Sequence, residues 1–88
     1  NTVLSATVAP GDQYVKVADI SIADTLGFPL KANIGNTFVI FSDYNSDKTM
    51  LKIDPSFNSG GGFPGSVSQP AATRVFFIYE PRVQSVIG

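Results

Sequence analysis

The chain has 88 residues with six basic and seven acidic side chains, so we expect a single domain spanning residues 1–88 with a net charge of −1. The absence of cysteine excludes a disulfide framework, and the absence of histidine removes the commonest general base and metal ligand. Only 15% of the residues are charged, against about 25% in an ordinary soluble domain. Low charge is found in Ser/Thr/Asn-rich β modules and also in subunits whose surface is covered by neighbours, and composition leaves both interpretations open.

The first part of the chain predicts strands, because its apolar segments are rich in β-branched residues and are separated by Gly, Pro, Asn and Asp. We expect a first strand at residues 3–8 and a turn at residues 10–12, where proline is followed by glycine. A second strand is predicted at residues 14–22. Its apolar alternation changes phase near Val17, which indicates a bulge or a break in the strand.

The rest of the chain also alternates apolar, strand-forming segments with segments rich in turn residues. Residues 23–35 are expected to be irregular, apart from a weak helical turn at their start. Further strands are predicted at residues 37–44, 48–54 and 72–80. Residues 55–70 form one long loop, because they are rich in Gly, Ser and Pro.

A short final strand is expected at residues 82–87, which brings the total to about five to seven strands. Strands spaced by roughly ten residues predict an all-β fold, either a small antiparallel β-sandwich or an open β-barrel with one long Gly/Pro-rich loop. The longest apolar run has five residues, far short of the roughly 20 that a membrane helix needs. We therefore expect no membrane partner.

Two predicted strands lack the alternation of a strand that has one face in water. Both are apolar at every position of a run, and successive side chains point to opposite faces of a sheet. The runs are Phe38, Val39, Ile40 and Phe41 in one strand, and Val75, Phe76, Phe77, Ile78 and Tyr79 in the other. Each run therefore predicts large apolar side chains on both faces, and something must cover each face.

Two kinds of cover fit these runs. The long loop can fold over one face with Phe57 and Phe63 as anchors, or a neighbouring subunit can cover it. We favour the neighbouring subunit, and we expect Phe63 and Pro64 to form an exposed tip of the loop that docks on it. The apolar segments at Val3–Leu4 and at residues 83–87 fit either ordinary edge strands or strand addition to another subunit.

The sequence offers little equipment for catalysis or metal binding. Ser-His-Asp and Cys-His catalysis are excluded, and no carboxyl group lies in a setting that predicts a shifted pKa. Asp43, Asn45, Asp47 and Asp54 match part of the spacing of a calcium loop. Lys48 replaces the glycine of that loop, and the flanks are strands, so we expect a hairpin turn with Asx hydrogen bonds and no metal or other cofactor.

Other ligands are also disfavoured. Residues 60–65 lack the Lys-Ser/Thr of a phosphate-binding loop, and the basic residues are scattered, which disfavours nucleic acid. There is no tryptophan, and the tyrosines are Tyr14, Tyr44 and Tyr79, so a sugar-binding platform has few candidates.

These observations favour a non-enzymatic structural subunit of a larger assembly, found in a virion or outside the cell. By analogy with short, cysteine-poor β proteins, we expect a viral capsid decoration (cement) protein or minor structural protein. Its partners would be other protein subunits, as a homo-oligomer, a shell protein or both. The alternatives are an extracellular adhesion or carbohydrate-binding β-sandwich module, and a filament subunit joined by strand exchange.

Overall fold

A computed structural model describes residues 1–58 and 61–79. Six antiparallel strands form one sheet in the order β1-β6-β3-β4-β5-β2, which curls into a half-barrel and confirms the predicted all-β class. The elements in chain order are β1 (Thr2–Val3), β2 (Tyr14–Val15), α1 (Ser21–Leu26), β3 (Leu30–Ile34), β4 (Thr37–Tyr44), β5 (Leu51–Ile53) and β6 (Arg74–Phe77).

The sheet curls so strongly that its two outermost segments meet at one point. β1 and β2 are the edge strands of the named order, and just beyond them Leu4 pairs with Val17 in an isolated bridge. The Ser5 amide donates a hydrogen bond of 3.0 Å to the Lys16 carbonyl beside that bridge. Pairing between the two edges gives the short terminal strands hydrogen-bond partners on both sides at this point.

The central strand β3 was missed by the sequence prediction, which left residues 23–35 irregular. Leu30–Ile34 alternates buried and half-buried residues, as a strand with one face in the core should. Ala, Asn and Lys are poor strand formers, so local propensity concealed the alternation. Pairing with β4 on one side and β6 on the other supplies the stability that propensity lacks.

The second predicted strand, residues 14–22, is also corrected. Its predicted interruption near Val17 is confirmed, because β2 ends at Val15 and α1 begins at Ser21. The Asp19 carboxylate accepts hydrogen bonds from the Ser21 amide and hydroxyl just before the helix. α1 contains the weak turn predicted near residue 23 and ends at Gly27, whose positive φ of 75° is a conformation that glycine adopts without strain.

The remaining strands keep their predicted places with shorter bounds. β5 and β6 cover the centres of the predicted segments 48–54 and 72–80, while residues 82–87 lie outside the described residues. The predicted first strand, residues 3–8, is only partly a strand. β1 ends at Val3, and beyond it Leu4 and Val8 each form an isolated bridge.

The core lies on the concave face of the sheet and is entirely apolar among the described residues. Burial of each large side chain stabilises the fold by about 1.5–3 kcal/mol. The largest side chains of this core are Phe41, Phe63, Leu4, Leu30, Ile34, Leu51 and Ile53.

The position of Phe63 corrects the prediction of an exposed docking tip. The ring is 1% exposed and belongs to the core, while Pro64 is half-buried. The loop is held on its own domain by hydrogen bonds in both directions, from the Phe63 amide to the Asp12 carbonyl and from the Gly11 amide to the Phe63 carbonyl. The loop therefore supplies cover for its own core, because inserting Phe63 gains more than exposing it.

The approach of this loop to the 10–12 turn depends on glycine. Gly62 has a φ of 77°, and a Cβ placed there would lie 2.3 Å from the Gly11 carbonyl oxygen. Any side chain at position 62 would therefore push the two backbones apart and withdraw Phe63 from the core.

Candidate protein interface

The convex face of the sheet carries a row of exposed aromatic side chains. Asn33 of β3 pairs with Phe38 of β4 on one side and with Phe76 of β6 on the other, so the three side chains point out of the same face. Phe38 is 39% exposed and Phe76 is 44% exposed. Contiguous exposed apolar groups on a protein surface mark candidate interaction sites, so this row is the starting point for one.

A second row continues the apolar surface. Lys31 pairs with Ile40 of β4, and its carbonyl accepts a hydrogen bond of 2.9 Å from the Ile78 amide. Ile40 and Ile78 are half-buried, so each still presents part of its side chain. The aliphatic stem of a lysine also covers apolar neighbours.

Phe57 from the long loop extends the surface beyond β4. Its ring packs edge-on against Phe38, with centroids 5.7 Å apart and an interplanar angle of 63°. Phe57 also packs against the core and is half-buried, so the loop anchors one border of the surface. We call Phe38, Ile40, Phe57, Phe76 and Ile78 together the outer apolar face.

The residues predicted as an interface are divided between the two faces of the sheet. Side chains on the concave side are buried in the domain and unavailable to a partner in this conformation, which corrects their assignment as contacts. These buried residues are Val39, Phe41, Phe63 and Val75. Phe77 and Pro64 are half-buried, Tyr79 is 68% exposed, and Phe38, Ile40, Phe76 and Ile78 lie on the outer apolar face.

The hairpin between β4 and β5 uses its oxygens for hydrogen bonds within the turn. The Asn45 side-chain oxygen accepts from the amides of Thr49 and Met50, at 2.8 and 3.0 Å. Asp47 accepts from the Thr49 hydroxyl at 2.6 Å, and that bond lowers the pKa of the carboxyl. This is the Asx-bonded turn expected from the sequence.

Two further carboxyl groups make similar local bonds. The Ser21 hydroxyl lowers the pKa of Asp19, and the Ser56 amide lowers the pKa of Asp54. A general acid at neutral pH needs the opposite shift. Among the described residues, no group of three or more acidic side chains is arranged to hold a metal ion.

A polar contact attaches helix α1 to the end of β4. The Tyr44 hydroxyl donates a hydrogen bond to the Asp24 carboxylate, and this bond raises the pKa of Tyr44 to about 12. The Phe28 ring lies edge-on to the Tyr44 ring at 5.0 Å, and the Lys48 ammonium lies 5.4 Å from its centroid. Sequence reasoning missed this cluster, because its members are far apart in the chain and match no motif.

A hollow with a volume of about 350 Å³ lies between α1, the start of β3 and the residues after β6. Leu26 and Pro29 form part of its apolar wall, and the exposed Tyr79 stands at its border. Ile78 belongs to both the hollow and the outer apolar face, so the two are continuous.

Comparisons of the chain with protein-family models, curated proteins and solved structures gave no match. In the part of the chain that the structure describes, no helix is long and apolar enough to cross a membrane.

Proposed function

We propose that this protein is a non-enzymatic structural subunit of a larger assembly, and that the outer apolar face contacts a neighbouring subunit. The observation that carries the proposal is the exposed pair Phe38 and Phe76, which flank Asn33 in one row of the sheet. A capsid decoration protein or a minor structural protein of a virion is the kind of subunit we expect. Low charge, lack of histidine and lack of cysteine support a contact role rather than catalysis.

The energetics of the outer apolar face fit a contact role. Covering the exposed parts of two phenylalanine rings would contribute roughly 1 kcal/mol or more each, because each ring is already about half removed from water. A stable interface needs about 800 Å² from each partner, so the aromatic row would form its centre and polar residues its rim.

The test compares Phe38→Ser/Phe76→Ser with the matched control Val67→Ser. Val67 is 68% exposed on the long loop and lies outside the outer apolar face. Sedimentation velocity across a range of concentrations should show the wild type and the control above the 9.3 kDa of one chain, and the double variant at that mass. Circular dichroism spectra of all three proteins should coincide.

Two outcomes would contradict the proposal. In the first, the wild-type protein remains monomeric over the whole concentration range. It also fails to bind the shell of any larger assembly that is produced together with it. The other is an equal loss of assembly in the double variant and the Val67 control, since that would place the contact elsewhere.

A second candidate is an extracellular carbohydrate-recognition module. The exposed Tyr79 beside the hollow favours it, because tyrosine combines an apolar ring with a hydroxyl group. Binding of oligosaccharides that is lost in Tyr79→Ala and retained in Phe38→Ser/Phe76→Ser would favour this candidate over the first.

A further inference from the structure

The first five residues fill a slot in the sheet and are bonded on both of their edges. On one edge, the Leu4 amide donates a hydrogen bond of 2.9 Å to the Thr73 carbonyl, and the Leu4 carbonyl accepts one of 2.8 Å from the Ala72 amide. The Leu4 side chain points inward and is buried in the core. Without this segment, the edge of the chain next to β6 would be open.

The other edge of the segment faces the residues after β2. The Ser5 amide donates to the Lys16 carbonyl at 3.0 Å, and the Ala18 amide donates to the Val3 carbonyl at 2.9 Å. An edge strand is bonded on one side only, whereas this segment joins two edges and closes the curled sheet.

Two side chains make the slot specific for this sequence. The Asn1 side-chain oxygen accepts a hydrogen bond of 3.1 Å from the Phe77 amide, and the Thr2 hydroxyl accepts one of 2.9 Å from the Asp19 amide. Both bonds join a side chain of the segment to a backbone amide of the surrounding domain. The slot therefore recognises an extended segment with a carboxamide, a hydroxyl and an inward leucine at set positions.

The segment is connected to the domain by two exposed residues. Within the described part of the chain, no hydrogen bond joins Ala6 or Thr7 to other residues. Val8 is buried and exchanges two hydrogen bonds with Gln69, both 2.9 Å long. The segment can therefore leave the slot by bending at Ala6 and Thr7, while Val8 stays in place and holds the rest of the domain closed.

We propose that residues 1–5 are an exchangeable closing strand, and that the slot also takes the same segment from a second copy of this chain. Exchange replaces every contact with an identical one, so its extent depends on the effective concentration of the neighbouring segment. Val3 lies opposite Arg74, which is two residues from Phe76 on the same face of β6. The slot therefore borders the outer apolar face, and a copy docked there through its own outer apolar face would bring its segment near the slot. Only this source of the second copy rests on the proposed function.

The register between β1 and β6 allows a direct test in the full-length chain. Val3 and Arg74 are directly opposite, both are exposed, and the chain contains no cysteine. Val3→Cys and Arg74→Cys together in one chain should form an intrachain disulfide, which verifies the register. The two single variants, mixed in equal amounts, warmed briefly and oxidised mildly, should form a disulfide between position 3 of one copy and position 74 of the other, identified by peptide mass spectrometry.

The control pair is Val67→Cys with Arg74→Cys, because Val67 is exposed but lies outside the segment. The exchange pair should yield at least about tenfold more mixed dimer than the control pair, since a bound strand has a high effective concentration. A large excess of a synthetic peptide of residues 1–9 should abolish the excess by occupying the slot.

Three outcomes would overturn the inference: no intrachain disulfide in the double variant, no excess of mixed dimer over the control pair, or an excess that the peptide does not reduce.

The experiments distinguish failure of the proposed function from failure of strand exchange. If the outer apolar face makes no contact, the mixed dimer will still form after Phe38→Ser/Phe76→Ser. If exchange fails while the outer apolar face makes contacts, sedimentation will still show an oligomer.

Discussion

The two faces of β4 are built from the same residue types and differ in what covers them. Phe41 points into the concave core and is fully buried, whereas Phe38, three residues earlier, points out of the convex face and is 39% exposed. The chain supplies Phe63 and helix α1 to cover the first face. For the second face, the described residues supply little beyond the edge of Phe57. A continuous apolar run thus predicts burial on two sides, while only the fold shows which side the chain covers itself.

The largest test of this difference is a matched pair of substitutions on β4. Phe41→Ala should lower the free energy of unfolding by about 3–5 kcal/mol, because it leaves a cavity in a packed core. Phe38→Ala should lower it by about 1–1.5 kcal/mol, because its ring is already partly in water. Chemical denaturation of the two variants at a concentration where the chain is monomeric measures both. Equal losses would contradict the assignment of the two rings to different environments.

A second pair of variants tests how the loop covers the concave face. Gly62→Ala should destabilise the domain by about 2–3 kcal/mol, because a left-handed conformation and a backbone clash are combined. Gly61→Ala is the control, because Gly61 has a similar φ of 72° with no atom near its Cβ position. The control should cost about 1–2 kcal/mol. Thermal unfolding of the two variants measures the difference. Equal midpoint temperatures would mean that the Gly11 contact does not hold Phe63 in the core.

The hairpin after β4 is held by polar contacts instead of apolar burial. Asn45→Ala removes the acceptor used by the amides of Thr49 and Met50, and we expect a loss of about 1–2 kcal/mol. Ser46→Ala, an exposed neighbour in the same turn, should change the stability by less than about 0.5 kcal/mol. Urea titrations distinguish the two. If both variants are neutral, the turn conformation does not depend on the Asn45 side chain.

The smallest expected effect is the pH dependence of the contact between Tyr44 and Asp24. Because the folded-state pKa of Tyr44 is raised from 10.0 to about 12, this contact stabilises the fold below pH 10. Its contribution is lost as the pH rises from about 10 to about 12. Asp24→Asn should move the absorbance titration of Tyr44 to lower pH, with Tyr44→Phe identifying its signal. An unchanged titration midpoint would show that Asp24 does not accept this hydrogen bond in solution.

Sequence reasoning recovered the features that depend on local pattern. The bounds of β4 were predicted correctly, because β-branched and aromatic residues and flanking turn residues agree there. The Asx hydrogen bonds of Asn45 followed from turn chemistry within a few residues. β3 was missed because its stability comes from two neighbouring strands, not from its own composition. The signal that could have placed it was the regular spacing of Leu30, Ala32 and Ile34.

The errors at the candidate site have a different origin. The runs at residues 38–41 and 75–79 indicated apolar side chains on both faces, but the sequence does not show which members face the core. Phe63 was expected outside because a Gly-rich loop costs entropy to order. The hydrogen bonds of Gly11 and Asp12 to Phe63, and the Gly62 approach, depend on contacts between residues about 50 positions apart, which no local pattern reveals.

The closing strand also bears on the order in which the protein folds. Its partners on one edge, residues 16–18, are near in sequence, and those on the other edge, residues 72–75, are at the opposite end of the described chain. Closing a long loop costs more conformational entropy than closing a short one, so the near pairing should form first. During synthesis, Val3 and Leu4 would pair with residues 16–18 before β6 has left the ribosome. The rate of the final folding step should therefore depend on how well this early hairpin holds the segment in register.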